Sequence, residues 1–264
     1  MATFLQTEFN YRAGGTAGAL HLPKHDKNIS NNVCELYKKY HDELILLSEK
    51  LVPIRKKICK EFGSYPGFCD IEAEFLYILI RELKPKITFE ISSHHGFTTY
   101  FAAAAIDRNG TGSLECFEIT ESFNGTPTEE VIRNNISSHI GSIPMRIHVG
   151  DARVEASNQL KHMNPDFLIL DSLHTDVFSE YYVNILFPNS SGTVYVQDIF
   201  HHEPRPEWAS ESYYTLNHLL TTGSSFLPIS LYEDDINSSG SRENITSHRN
   251  LRSSSIYFKL PETG

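Results

Sequence analysis

The chain has 264 residues, 40% of them hydrophobic and 11% aromatic, enough to bury a sizeable core in one large or two small domains. A net charge of −10 and a pI near 5.7 argue against a general nucleic-acid binder or a protein drawn to acidic membranes. The opening MATFLQTEFNYRAGG lacks a basic-then-apolar signal, and no stretch is apolar enough to span a bilayer.

Residues 1–30 read as irregular. From Asn31, the residues Val33, Leu36, Tyr40, Leu44, Leu47 and Leu51 recur at three- and four-residue steps and predict a helix. Pro53 is expected to kink or break it, with helix resuming to about Phe62. The basic run RKKICK (55–60) reads as a solvated helix face. Asp70 is expected to cap the next helix, IEAEFLYILIREL, with Glu74 in its first turn and Pro85 beyond its end. Five apolar runs follow: KITFEIS (86–92), SLECFEI (113–119), MRIHVGD (145–151), DFLILDS (166–172) and TVYVQDIF (193–200). Helical stretches separate them, which predicts a parallel sheet covered on both faces, with right-handed crossovers. FLPISLYEDD and RSSSIYFKL add two more strands, and the polar INSSGSRENITSHRN between them reads as a loop. The expected organisation is a mainly helical extension over 1–69 and one α/β domain over 70–264. Cys34, Cys59, Cys69 and Cys116 form no close pairing motif, so the expectation is a cytoplasmic protein with reduced thiols.

Ligands of open α/β sheets bind beyond the carboxyl ends of the strands. Five successive strands end at or near an acid: Glu90, Glu118, Asp151, Asp171 and Asp198. The loop after the first, ISSHHGFTT, leads through Gly96 into a helix, and Glu118 lies 22 residues beyond Gly96. That is the spacing at which an acid accepts hydrogen bonds from ribose hydroxyls. A nicotinamide site would want three glycines for its pyrophosphate, and only Gly96 is present. A nucleoside cofactor without phosphate, such as S-adenosylmethionine, fits better. His94 and His95 read as exposed loop residues.

FEISSHHGFTT, ECFEI, HVGDA, DFLILDSLHTD and GTVYVQDIFH resemble the successive motifs of class I S-adenosylmethionine-dependent methyltransferases, over about residues 70–222. The nearest pattern is that of the small-molecule group with D-x-x-H and H-D-I-F-like motifs. The resemblance implies a Rossmann-like class I methyltransferase fold: a mostly parallel seven-stranded sheet with helices on both faces. It implies that Glu90, Ser92 and Gly96 hold the methionine part of the cofactor and Glu118 its ribose. Asp151 and Ala152 would sit at the adenine, and Asp171 where methyl donor meets acceptor. Two residues depart from the pattern: Ser92 replaces a glycine and Gln197 a histidine.

Methyl transfer to oxygen or nitrogen needs positioning and removal of one proton. His174, three residues past Asp171, is the first choice of base as a neutral imidazole, with His201 and His202 as alternatives. Capping of the following helix is an equal reading of His174. A metal-free mechanism is expected, since no third oxygen ligand is evident. A divalent metal, if used, would lie on Asp171 and Asp198. In HHEPRPEWASESYY (201–214), Arg205, Trp208 and Tyr213 could face an acceptor, although Trp208 reads better as core. The expected partner is a small-molecule acceptor, with no nucleic acid and no membrane, and a homodimer is the candidate assembly. The competing function is a degenerate methyltransferase-fold binding protein without transfer activity.

Overall fold

The computed structural model describes residues 8–13, 16–21, 24–63, 68–136, 143–199, 209–247 and 253–261. Instead of the irregular start expected, β1 (Glu8–Ala13) and β2 (Thr16–His21) pair antiparallel, with Ala13 opposite Thr16. The missed signal is a Gly-Gly pair between β-forming residues, the sequence mark of a tight hairpin. Helix α1 (Lys27–Lys39) starts four residues earlier than expected, because the Asp26 carboxylate caps it by accepting from the amides of Asn28 and Ile29. Helix α2 (His41–Phe62) continues through Pro53 without the break that was one of the two expected outcomes. The missing amide bond there is offset by the burial of Leu51, Ile54 and Ile58 on its inner face.

The basic run on α2 is not wholly solvated either. Arg55 is buried, pairs with Asp70 at 2.8 Å and lies 4.7 Å from the Phe97 ring centroid. Asp70 therefore opens helix α3 (Asp70–Leu83) as its first residue rather than its cap. The cap is Cys69, whose amide donates to Glu72 Oε2 at 2.9 Å. Glu74 pairs with Arg242 at 2.7 Å, so the polar stretch expected to be a loop is partly fastened down. Helix α9 (Glu233–Ser238) runs into its start from the preceding FLPISLYEDD run, and the Thr246 amide donates to Ser48 Oγ at 3.1 Å.

The sheet comprises β3 (Ile87–Ile91), β4 (Ser113–Glu118), β7 (Met145–Val149), β8 (Phe167–Leu170), β9 (Thr193–Val196), β10 (Phe226–Pro228) and β11 (Ile256–Lys259). A minor hairpin, β5 (Ser122–Phe123) and β6 (Thr126–Pro127), lies between β4 and β7 in sequence. The order is β10-β11-β9-β8-β3-β4-β7, and β11 alone runs opposite to the other six, so its pairings with β10 and β9 are antiparallel. The chain winds outward from β3 in one direction and from β8 in the other, so the switch point lies between their carboxyl ends.

Both faces are covered. Phe167 and Ile169 of β8 join a core shared with α1 to α3, α4 (Phe97–Asn109) and α5 (Thr128–Ile136). Leu168 and Leu170, pointing the other way, join one with α6 (Ala152–Leu160), α7 (Asp176–Tyr181) and α8 (Ala209–Thr221). This is the mostly parallel seven-stranded sheet that the sequence predicts, with helices from the N-terminal region folded onto one face.

Candidate active site

The loop from β3 to α4 takes an unusual backbone path. Ser92 (φ 70°), His94 (φ 47°) and Gly96 (φ 83°) all lie in the left-handed region. Two of the three carry a Cβ, and such residues cost about 1–3 kcal/mol each unless their surroundings hold them. The Ser92 amide donates to the Phe117 carbonyl at 2.8 Å, and the His94 amide to Glu118 Oε2 at 2.7 Å. Ser92 thus stands in a glycine conformation, which explains why the family pattern has glycine there. At Gly96 a Cβ would approach Ile132 Cγ2 to 3.1 Å.

Glu90 is buried beneath this loop, and its Oε2 accepts from Ser93 Oγ at 2.8 Å and Thr99 Oγ1 at 2.7 Å. Burial raises its pKa although both hydroxyls oppose the rise. Its carboxylate ties β3 to α4. Glu118, also buried, accepts one amide on each oxygen, from His94 and from Thr120 at 2.9 Å. Each oxygen keeps a second acceptor direction for a ligand. Asp151 caps α6 through the Arg153 amide at 2.9 Å, and the Arg153 guanidinium holds its carboxyl below the usual range. Ala152 is buried behind it.

His94 is exposed as expected, but His95 is buried. The two rings meet edge-on with centroids 3.9 Å apart, and His95 packs against Phe123 of the β5–β6 hairpin at 4.1 Å. Burial, with the neighbouring His94, lowers His95 to about 4, so it is neutral at ordinary pH.

The other half of the edge gathers charge. Asp171 follows β8, and Asp198 follows β9 in the left-handed region at φ 59°. His174 lies between carboxylates: Nδ1 faces Glu211 Oε2 at 2.6 Å and Nε2 faces Asp198 Oδ2 at 3.2 Å. Burial opposes its charge, but hydrogen bonds to Asp198 and Glu211 outweigh burial and push it up to about 10. These carboxylates favour the protonated ring over the neutral imidazole expected at His174, and both nitrogens face an acid. Burial, with the Asp198 charge adding, raises Asp171 well above the usual carboxylate range. Gln197, with its amide nitrogen on the Asp171 side, donates to both Asp171 oxygens at 2.7 Å. The histidine-to-glutamine departure thus keeps a donor on that carboxylate.

Among the described residues, Asp171, His174 and Asp198 place ligand atoms within 4.8 Å of one another. The third group beside the two carboxylates, missing from the sequence reading, is an imidazole rather than a third oxygen, and it would have to give up a proton to bind a metal. Glu211, on the first turn of α8, was also missed. Its only sequence signal is an acid in a stretch singled out for its aromatics. His201, His202, Arg205 and Trp208 lie outside the described residues, as does the side chain of Tyr213.

No family model and no curated protein sequence matches the chain. Solved structures do. The O-methyltransferase TomG from Streptomyces achromogenes, in complex with S-adenosylmethionine, matches with a TM-score of 0.57 at 15% identity, over 80% of this chain and 89% of its own. An O-methyltransferase from Bacillus cereus, in complex with S-adenosylhomocysteine, matches with 0.53 at 11%, over 80% and 89%. The S-adenosylhomocysteine-bound methyltransferase PaMTH1 from Podospora anserina matches with 0.50 at 10%, over 91% and 99%. At such identities the likeness is one of fold: the chain has the Rossmann-like fold of class I methyltransferases.

Proposed function

We propose that the chain transfers a methyl group from S-adenosylmethionine to an oxygen or nitrogen of a small-molecule acceptor. The observation that carries this reading is the joined loop and acid: a left-handed backbone at Ser92, His94 and Gly96 tied directly to Glu118. A ribose on Glu118 would lie against a backbone shaped to admit a cofactor without phosphates. Ser92 and Gly96, supported by Glu90, would hold the methionine part, and Asp151 with Ala152 the adenine. The matched structures bearing S-adenosylmethionine or S-adenosylhomocysteine support this cofactor, and those named O-methyltransferases favour oxygen as the acceptor atom.

S-adenosylmethionine, when bound, would supply an electrophilic methyl and leave as the neutral thioether, so the chain itself would have to position the acceptor and take up one proton. The acceptor's proton passes to a carboxylate at the switch point. Asp171 fits best, because a carboxylate raised by burial is a stronger base. His174, as an imidazolium, offsets the charge of Asp198 and Glu211 and keeps the three acids compatible. With His174 deprotonated, Asp171, His174 and Asp198 would instead hold a divalent cation, which when bound would polarise an acceptor hydroxyl.

The experiment is a screen of hydroxylated and amine-bearing small molecules with S-adenosylmethionine, with and without EDTA, reading S-adenosylhomocysteine release. Release with a hydroxylated acceptor is expected. Cofactor binding without release from any acceptor would favour the degenerate binder, and absence of binding would reject the reading.

A further inference from the structure

The segment just before β11 reaches the acceptor half of the site through one side chain. Ser254 is buried, and its Oγ donates to Asp198 Oδ1 at 2.7 Å. Its carbonyl accepts the amide of Ile199, the next residue after Asp198, at 2.9 Å. Side chain and backbone of one residue therefore hold both sides of Asp198, which is the residue in the left-handed conformation. A non-glycine residue in that region persists only where its surroundings over-determine it.

Glu72 lies behind Ser254. Its Oε1 is 3.1 Å from Ser254 Oγ, so two carboxylates compete for one hydroxyl proton. Glu72 Oε1 is already supplied by the Ser254 amide at 2.7 Å, the Ser255 hydroxyl at 2.8 Å and the Ser253 hydroxyl at 3.3 Å. Its Oε2 takes the Cys69 amide. With Glu72 served by these neighbours, the shorter contact to Asp198 receives the Ser254 proton. Asp198 Oδ2 is then left to face His174.

We infer that Ser254 is a positioning residue: seated on Glu72, it fixes the carboxylate of Asp198 against His174 at the floor of the acceptor site. The serine triplet 253–255 serves two purposes, with Ser253 and Ser255 binding Glu72 while Ser254 is turned to Asp198. That Asp198 borders the reacting atoms rests on the methyl-transfer reading; the positioning itself does not.

The test uses the full chain in EDTA-containing buffer and follows the His174 Nε2 proton by nitrogen-edited NMR. Ser254→Ala should shift that resonance and speed its exchange with water about tenfold, for loss of a hydrogen bond to a charged group. Ser254→Thr, which keeps the hydroxyl, should restore the wild-type signal, and Ser255→Ala, which removes a hydroxyl that bonds Glu72 but not Asp198, should leave it in place. If Ser254→Ala does not fold, Ser254→Cys, with similar volume and a weaker donor, should show the same shift. An unchanged His174 signal in Ser254→Ala or Ser254→Cys would overturn the inference, as would an equal change in Ser255→Ala. S-adenosylhomocysteine affinity, measured on the same samples, should match wild type throughout. Failure of the wild type to bind it would count against the cofactor reading while the NMR result still decides the role of Ser254.

Discussion

At the ends of β3, β4 and β7, Glu90 is held by Ser93 and Thr99 and Asp151 by Arg153, all close in sequence, while Glu118 takes the amides of nearby Thr120 and of His94 on the adjoining β3–α4 loop. At the ends of β8 and β9 the partners come from far along the chain. Asp198 meets Ser254 from the start of the last strand, and His174 meets Glu211 from α8. The first arrangement uses mainly neutral backbone and hydroxyl donors, which satisfy a carboxylate while leaving acceptor capacity for a ligand. The second packs three carboxylates around one imidazole, where each charge depends on the others. A preformed binding surface needs only the first. Moving a proton needs groups whose affinities for it are shifted, and in the second half those shifts come from one another's charges as well as from burial.

Substitutions should separate the two halves. The largest effect is expected from His174→Ala, which leaves Asp171, Asp198 and Glu211 without their cation. Turnover with an acceptor that the wild type methylates should fall about 10²–10⁴-fold. S-adenosylhomocysteine affinity should stay near wild type, and a parallel loss of affinity would mean that the halves are not independent.

A smaller effect is expected from pH at His95. Its folded pKa of about 4 lies below the ordinary 6.5, so the folded chain prefers the neutral ring. As pH falls from about 6.5 to about 4, the unfolded chain gains a proton that the folded chain refuses, and stability drops across that window. Urea midpoints of His95→Gln should fall less steeply there than those of wild type. Identical slopes would show that His95 is not held neutral.

The smallest effect is expected from Ser92→Gly. Glycine adopts the left-handed backbone without strain but gives the unfolded chain more freedom, and the two effects oppose each other. The net gain should be at most about 1 kcal/mol in chemical denaturation. A loss of several kcal/mol would mean that the serine hydroxyl, not the backbone, matters at this position.

The sheet was legible because its strands are apolar on both faces and alternate with helices, and this pattern has few other solutions. The acids at the strand ends could be placed for the same reason. Glu118 stood out by its spacing from Gly96, within one strand–helix–strand unit. Glu211 and Ser254 left no comparable mark, since their partners lie 37 and 56 residues away in sequence. Two errors share one cause. Arg55 and Arg242 looked solvated in polar runs, yet each reaches an acid on the first turns of α3. Local polarity reports what a segment could expose, not which single side chain tertiary packing will bury. The surroundings of His174 were hidden similarly, because they include Glu211, which only the fold brings near.

The most direct test of the account is calorimetric titration of S-adenosylhomocysteine into wild type and Glu118→Ala. Loss of hydrogen bonds to a charged group should weaken binding by about 1.5–3 kcal/mol, roughly 10- to 150-fold. Equal affinity in the two proteins, or no binding to either, would contradict the assignment of this half of the edge to the cofactor.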